Sequence, residues 1–452
     1  MRIVSTNYGK LSGIEENGYS VFKGIPYAKP PVGERRWKLP EKPDSWEGVR
    51  AADHFGNIAV QSLPTEETPW GAMYYKEFYS NPDFIPEISE DCLYLNVWTP
   101  AESADEKLPV AFWIHGGGFS GGYSSEIEFD GAEYCKRGIV LVTVNYRCGV
   151  FGFLAHPWLT AESGRGISGN YGCFDQLAAL TWVYENIAAF GGDPERITVF
   201  GQSAGCMSTQ VLVSSPLTGN MIKGAILQSG VETAAPFLAV PTLAEAEKFG
   251  ERIVKISRAK SLEELRAMDA LSLHAAKEQF DMEMRLKAMR GELEGSADAL
   301  MIVPNVDGYL LNKNVREIYA DGTMKKIPYM AGCVQDDLAT TDEDRKNGVP
   351  GILLEKCKEW CVRQEELGNP PAYAYLFRRE LPGDGKSDTA FHSAELWYTF
   401  GTLGRCWRPM EEHDYKLSEE MVNLWAAFIK TGDPGSGWKP CTKEEPFVKV
   451  FE

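Results

Sequence analysis

A serine flanked by two glycines lies near the middle of the chain, in the run Gly201–Gly205 (GQSAG). The apolar and β-branched residues 196–200 before it predict a strand, and the residues after it are compatible with a helix. A G-x-S-x-G run between a strand and a helix is typical of a nucleophile elbow, which lifts a serine hydroxyl above a sheet. Ser203 is therefore the candidate nucleophile, and the backbone N–H of Ala204 is a candidate donor to the oxyanion of an acyl-transfer reaction.

A glycine run provides a second candidate source of oxyanion donors. Residues 109–114 predict a buried strand that leads directly into His115-Gly116-Gly117-Gly118. Three consecutive glycines let backbone N–H groups approach a substrate oxygen, as in an HGGG-type oxyanion loop. A flexible surface turn is the alternative, but the position of the glycines directly after an apolar strand favours the oxyanion loop.

A serine nucleophile needs a base, and the chain contains six histidines. In this arrangement the histidine follows the serine and the acid along the chain, which excludes the histidines before the elbow. Two later histidines lie in charged segments typical of exposed surface, and the first of these segments, residues 262–290, predicts an amphipathic helix. The five histidines set aside in this way are His54, His115, His156, His274 and His413. His392, just after the Gly- and Asp-rich segment 382–388, remains as the candidate base.

The third member of such a triad orients and stabilises the imidazolium, and it should follow a strand between Ser203 and His392. Residues 327–332 predict that strand, and two adjacent aspartates follow it, Asp336 and Asp337. The spacing does not distinguish between them.

Several short runs spread over the whole chain match a known pattern. They are Phe22–Ala28, Ser89–Trp98, Asn145–Arg147, Gly169–Gly172, Phe190–Pro194, Gln228–Gly230 and Lys430–Pro434. In these runs the chain resembles, from end to end, the bacterial type-B carboxylesterases of the cholinesterase/carboxylesterase family. The resemblance implies Ser203 as nucleophile, His392 as base and an oxyanion hole formed by the amides of Gly117, Gly118 and Ala204.

The resemblance also bears on the acid, which in the family is usually a glutamate in a G-x-x-x-D-E-G run. Residues 332–338 align with that run and put Asp337 at the glutamate position, with Asp336 as the alternative. A second departure is Gln202, which stands where the family commonly has glutamate and so removes a negative charge near the nucleophile. We expect this change to alter affinity for cationic substrates more than it alters the triad.

Further residues have structural roles implied by the same resemblance. Arg36 with Glu90, and Arg147 with Asp175, are expected to form internal ion pairs without a catalytic role. Ser229 is expected to lie near the acid of the triad.

The predicted fold class is α/β, an α/β-hydrolase fold with a mostly parallel central sheet, helices on both faces and helical insertions over the active site. The matching runs are spread over the whole chain, so one domain over 1–452 is expected, with a helical cap near 241–295. The aromatic stretch 70–84 fits either the lining of the substrate pocket or ordinary core packing.

Composition excludes several classes of function. A formal net charge of −18 argues against binding to nucleic acid. No apolar run approaches the roughly 20 residues of a membrane span, and the N-terminus lacks the zones of a signal peptide, so a cytoplasmic protein is expected. Ten cysteines show no regular framework; Cys92 is expected to be a free thiol, and Cys357 and Cys361 to pack in the core. No metal and no organic cofactor is implied.

The predicted function is hydrolysis of a small-molecule carboxylic ester, aromatic esters included, through a covalent acyl-enzyme. Two alternatives stay open, namely a non-catalytic binding protein on the same fold and an amidase or peptidase. Cholinesterase activity is disfavoured, because no tryptophan occurs between Asn81 and Ile88, where the family's choline-stacking residue would fall. The acyl and alcohol groups and the oligomeric state do not follow from the sequence.

Overall fold

Strands and helices alternate along most of the chain. The computed structural model describes residues 2–231, 240–292, 302–338, 340–383, 385, 389–435 and 437–452. The strands are β1 (Ile3–Thr6), β2 (Gly9–Ser12), β3 (Ile14–Glu16), β4 (Tyr19–Pro26), β5 (Val49–Ala51), β6 (Tyr94–Thr99), β7 (Leu108–Ile114), β8 (Val140–Val144), β9 (Gly192–Gln202), β10 (Ile222–Gln228), β11 (Tyr329–Val334), β12 (Ala372–Phe377) and β13 (Val448–Phe451). The helices are α1 (Pro69–Tyr74), α2 (Ala132–Lys136), α3 (Gly149–Phe153), α4 (Pro157–Glu162), α5 (Tyr171–Asn186), α6 (Ala204–Ser214), α7 (Leu243–Ser257), α8 (Leu262–Ala267), α9 (Ala270–Met289), α10 (Val315–Asp321), α11 (Asp342–Asn347), α12 (Ile352–Glu366), α13 (Leu396–Phe400) and α14 (Glu412–Thr431).

A large central sheet organises these elements. Within the described residues it has ten strands in the order β13-β12-β11-β10-β9-β7-β8-β6-β4-β3. The strands from β13 to β8 run parallel to their neighbours, whereas β6, β4 and β3 pair antiparallel. A smaller sheet of three strands, β1-β2-β5, lies apart from it. The predicted mostly parallel sheet is confirmed.

Both faces of the central sheet are buried, as the unbroken apolar run of β7 requires. Alternate side chains of a strand point to opposite faces, so Val110, Phe112 and Ile114 join one apolar cluster while Ala111 and Trp113 join another. Helices α5 and α6 contribute to the first cluster, and helices α13 and α14 contribute to the second. Each large apolar side chain buried in this way contributes roughly 1.5–3 kcal/mol of stabilisation, and the helices therefore cover both faces.

A buried ion pair ties α5 to the loop after β8. Arg147 donates from Nε and Nη2 to the two carboxylate oxygens of Asp175, at 2.7 Å each. The Asp175 carboxylate also accepts a hydrogen bond from the backbone N–H of Arg147 at 3.1 Å. The pair is nearly inaccessible to solvent, so removal of either partner would leave an uncompensated buried charge.

The second predicted ion pair anchors one of the inserted helices. Arg36 donates to both carboxylate oxygens of Glu90. Its remaining terminal nitrogen donates to the carbonyls of Arg266 and Met268, at 2.8 and 2.7 Å. The Arg36 guanidinium thus joins the N-terminal part of the chain to the C-terminal end of α8.

Three helices, α7, α8 and α9, occupy most of the segment predicted as a cap. The sequence suggested one amphipathic helix over 262–290, and this prediction is wrong, because the helix is broken at residues 268–269. The reason is local: the Asp269 side chain accepts a hydrogen bond from the backbone N–H of Ser272 at 2.9 Å and caps a new helix. Residues 293–295 of the predicted cap lie outside the described residues.

The cysteines lie mostly in the interior. Cys92 is buried and not disulfide-bonded, and Cys357 and Cys361 are buried within the apolar core. Across the part of the chain that the structure describes, no helix is both long and apolar enough to cross a membrane.

Candidate active site

The turn between β9 and α6 holds Ser203 in a strained conformation. Its φ and ψ are 57° and −123°, a region that non-glycine residues rarely adopt. Backbone hydrogen bonds fix the turn, from Ser203 N to the Gln228 carbonyl at 2.8 Å and from Met207 N to the Ser203 carbonyl at 3.1 Å. A Cβ at Gly205 would lie 2.0 Å from the carbonyl oxygen of Ile114, so only glycine allows this approach of helix to strand.

The glycine loop after β7 lies beside this turn. A Cβ at Gly116 would be 3.2 Å from the Cβ of Ser203, so the two segments are in direct contact. The next three residues, Gly117, Gly118 and Phe119, have φ values of 95°, 61° and 59°. This left-handed run turns the chain sharply next to the serine, and the N–H of Ser120 donates to the Gly117 carbonyl at 3.0 Å.

His392 and Asp337 form a short contact at the carboxyl end of the sheet. His392 Nδ1 is 2.6 Å from Asp337 Oδ1, and both side chains are almost fully buried. The Asp337 carboxylate also accepts hydrogen bonds from the backbone N–H groups of Val334 and Leu338, at 3.1 and 2.8 Å. Burial raises the pKa of Asp337, but the adjacent His392, the Ser229 hydroxyl and the Leu338 amide outweigh it, and the pKa is lowered overall. Asp337 is therefore an ionised partner for the imidazole.

Asp336 has a different environment. Its backbone N–H donates to the Ala390 carbonyl at 3.0 Å, and residue 336 forms an isolated parallel bridge with Phe391. Its carboxylate lies 3.7 Å from the Arg345 guanidinium, and burial raises its pKa. The backbone of Asp336 therefore aligns the loop after β11 with the segment before His392. The side chain that contacts His392 is that of Asp337.

The second ring nitrogen of His392 faces Gln202. The Gln202 side-chain nitrogen lies 3.3 Å from His392 Nε2. An amide nitrogen only donates hydrogen bonds, so Nε2 accepts, and the ring proton is assigned to Nδ1, facing Asp337. This tautomer leaves Nε2 able to take up a proton, and Gln202 is the residue directly before Ser203.

A tyrosine from the aromatic stretch binds the histidine backbone. Tyr74 on α1 donates its hydroxyl proton to the carbonyl of His392 at 2.7 Å. Trp70 stacks on Tyr74 with ring centroids 4.5 Å apart and is itself 49% exposed. Phe78 and Tyr79 instead pack in the apolar core. The stretch thus divides between the surroundings of the site and the core, and nothing in the sequence marks which aromatic residue would reach the histidine.

Glu395 is a buried carboxyl that sequence reasoning missed. Both of its carboxylate oxygens are buried without a hydrogen bond of normal geometry in the described structure. Burial raises its pKa to about 7, and the charge of Asp337 acts in the same direction. A signal was present in the sequence, because Glu395 is the one carboxylic acid in the run 394–401, whose other residues are aromatic, apolar or small.

Three histidines besides His392 are shielded from solvent: His115 and His156 are buried, and His274 is half-buried. Burial lowers the pKa of His115 to about 4, and its ring stacks on Tyr146 with centroids 4.3 Å apart. His274 was expected to be exposed, but it is half-buried, and its Nε2 lies 2.8 Å from the Ser62 hydroxyl. The reason is that its helix, α9, packs against the body of the protein rather than projecting into solvent.

The strand order, the strained serine between β9 and α6, and the histidine at the end of the sheet define an α/β-hydrolase fold. Within the described residues, no group of three or more His, Cys, Asp or Glu side chains is arranged to hold a metal ion.

Comparison with known proteins identifies the family. The model of the carboxylesterase family matches residues 1–347 and 354–450. Fumonisin B1 esterase of Sphingopyxis macrogoltabida is 34% identical over 460 residues, which covers 99% of this chain and 74% of that enzyme. Para-nitrobenzyl esterase of Bacillus subtilis is 33% identical, with 96% of this chain and 91% of that enzyme covered. The chain belongs to the carboxylesterase family and is a carboxylic ester hydrolase.

Solved structures agree with this assignment. A thermophilic PNB esterase superposes with a TM-score of 0.81 at 30% identity, covering 100% of this chain and 96% of that one. A carboxylesterase of Geobacillus stearothermophilus gives a TM-score of 0.77 at 31% identity, covering 99% of this chain and 96% of that one.

Proposed function

We propose that this protein hydrolyses carboxylic esters of small molecules through a Ser203–His392–Asp337 triad and a covalent acyl-enzyme. The observation that carries the proposal is the 2.6 Å contact between Asp337 Oδ1 and His392 Nδ1. This contact holds the imidazole with Nε2 unprotonated, as a general base requires.

Acylation begins when His392 Nε2 takes the proton of the Ser203 hydroxyl. For this step Nε2 exchanges its contact with the Gln202 amide for the serine oxygen, a local movement that substrate binding can drive. The serine oxygen attacks the ester carbonyl carbon, and the carbonyl oxygen becomes negatively charged. The imidazolium then protonates the leaving alcohol, and Asp337 stabilises the positive charge on the ring.

Hydrolysis of the acyl-enzyme repeats these steps with water as the nucleophile. The amides of Gly117, Gly118 and Ala204 are proposed to donate to the oxyanion in both halves of the reaction. Two features support that role. Ala204 is the first residue of α6, and the N–H group of a first helical residue has no partner within its helix. The glycine loop is in contact with Ser203.

The proposal is tested by replacing Ser203 and following p-nitrophenyl acetate hydrolysis. Loss of the nucleophile should lower kcat by about 10⁴–10⁶-fold. Ser214→Ala is the matched control, because Ser214 lies on the same helix and its hydroxyl is buried without a hydrogen-bond partner among the described residues. That variant should keep near-normal activity. A Ser203→Ala variant that retains more than a tenth of the activity would refute the assignment.

Covalent labelling gives a second, independent measurement. An organophosphate should add one adduct to the wild-type chain and none to Ser203→Ala, as read by intact-mass spectrometry. EDTA should leave the activity unchanged. Labelling that persists in Ser203→Ala, or inactivation by EDTA that zinc reverses, would contradict the mechanism.

A further inference from the structure

A lysine of the inserted helices is buried against the glycine loop. Lys277 lies on α9, and its side chain is only 3% exposed. Its Nζ donates to the Ser120 hydroxyl at 3.0 Å. Ser120 comes two residues after Gly118, and 157 positions of sequence separate it from Lys277. A distant insertion thus places a charged group on the loop proposed to stabilise the oxyanion.

The loop needs such support because Phe119, a residue other than glycine, is held at a positive φ of 59°. Three consecutive residues, Gly117, Gly118 and Phe119, have positive φ, and Phe119 is not a glycine. Conformations of this kind persist only where the surrounding structure over-determines them. The direction of the loop amides, and therefore their aim at a developing negative charge, depends on those φ values.

Among the residues that the structure describes, other hydrogen bonds hold the two flanks of Ser120 but not its side chain. The Gly149 N–H donates to the Phe119 carbonyl at 2.7 Å. On the other flank, the Gln61 side chain accepts from the Gly122 N–H at 2.7 Å and donates to the Gly122 carbonyl at 3.1 Å. Lys277 adds a third contact, because it holds the side chain of Ser120, which lies between Phe119 and Gly122.

The ammonium group of Lys277 is itself oriented by α9. It forms an ion pair with Asp281, one turn further along the helix, at 2.5 Å, and lies 3.4 Å from the Glu278 carboxylate. An ammonium has three N–H donors, and Asp281, Glu278 and Ser120 account for them. Lys277 is therefore not available to bind an anionic group of a substrate, and its role is exerted through the loop.

We propose that Lys277 is a positioning residue, which fixes the amides of Gly117 and Gly118 in their productive orientation by holding Ser120. This inference rests on the proposed function, in which those amides stabilise the oxyanion. It implies that docking of α9 and stabilisation of the transition state are coupled in this protein.

The test replaces Lys277 with methionine, which keeps the length of the side chain and removes the charge. Removal of an oxyanion-hole donor costs about 10²–10³-fold in kcat, and a misaligned donor should cost less. We therefore expect kcat to fall about tenfold with KM within about twofold. Binding of a trifluoromethyl ketone, which mimics the tetrahedral oxyanion, should weaken by a similar factor. A residue that only supports the fold would not change kcat and ketone affinity together while leaving KM alone.

Matched variants separate the outcomes. Lys287→Met, on the same helix, should leave kcat and ketone affinity unchanged, whereas Lys277→Arg should restore part of both. Ser120→Ala leaves the ion pair with Asp281 intact, so it should fold even if Lys277→Met does not, and it should reproduce the loss. Wild-type kcat and ketone affinity in folded Lys277→Met, or in Ser120→Ala, would overturn the inference. If Ser203→Ala is inactive in the same assays, such a result leaves the proposed function in place, whereas an active Ser203→Ala refutes that function instead.

Discussion

Glu395 makes the stability of this protein depend on pH in a direction opposite to that of most carboxylates. The side chain is fully buried beside Asp337, and burial raises its pKa from 4.5 to about 7. Glu395→Gln replaces the carboxyl by an amide of nearly the same shape that carries no charge at any pH. The variant therefore imitates the neutral form of Glu395 at every pH.

The sign and size follow from the two pKa values. Below pH 4.5 the carboxyl is protonated in both the folded and the unfolded state, and it contributes no pH dependence. Between pH 4.5 and about 7 only the folded state holds the proton, so the free energy of unfolding falls as the pH rises. A pKa raised from 4.5 to about 7 corresponds to on the order of 3 kcal/mol, lost in full above that range. Glu395→Gln should remove this loss.

The measurement is urea unfolding of wild type and variant at pH 5 and pH 8, with Glu419→Gln as the control. Glu419 is exposed on α14, so its replacement should change the free energy of unfolding little and equally at both pH values. Glu395→Gln should be more stable than wild type at pH 8 by an amount on the order of 3 kcal/mol, with a smaller difference at pH 5. An equal effect of Glu395→Gln at the two pH values would show that Glu395 titrates normally in the folded protein.

Further substitutions test the site. Asp337→Asn should lower kcat about 10⁴-fold, because the imidazole loses the partner that fixes its tautomer, whereas Asp336→Asn should change it by less than about tenfold; a crippled Asp336→Asn would put the acid at the wrong residue. Asp337→Glu should retain partial activity on the same p-nitrophenyl ester. Tyr74→Phe should lower kcat by up to about tenfold, the effect of one hydrogen bond, by freeing the carbonyl of His392; an unchanged kcat would show that this bond does not position the base. Gly205→Ala should destabilise the fold by about 1–3 kcal/mol or more, read by thermal unfolding, because its methyl group collides with the carbonyl of β7; a wild-type melting temperature would contradict the close approach.

Features encoded in short stretches of sequence could be predicted. The turn around Ser203 and the loop from Gly116 are both marked by glycines directly after apolar strands. Their conformations, and the roles proposed for them, could therefore be predicted without a structure. The mostly parallel sheet could be expected from the family resemblance, because the matching runs span the whole chain.

Contacts between distant side chains could not be predicted. Tyr74 and the His392 carbonyl are 318 positions apart, and Gln202 and His392 are 190 apart. Such contacts depend on how helices and loops pack. The type of an aromatic or polar residue does not indicate which distant residue it will contact. The break before α9 was not predicted for a related reason. Asp269 lies in a charged segment, where it is expected to be one more exposed carboxylate, and only the structure shows that it caps α9.

The guanidinium of Arg36 limits how this protein can be shortened or recombined. Because it binds Glu90 and also the carbonyls of Arg266 and Met268, the inserted helices are not a detachable module. A chimaera that exchanges the segment before residue 268 for that of another esterase must recreate these two carbonyls, or a cation stays buried with part of its donors unsatisfied. Exchange boundaries placed after Met268 keep this anchor, but a grafted segment that begins at α9 must also keep Lys277 and its hydrogen bond to Ser120.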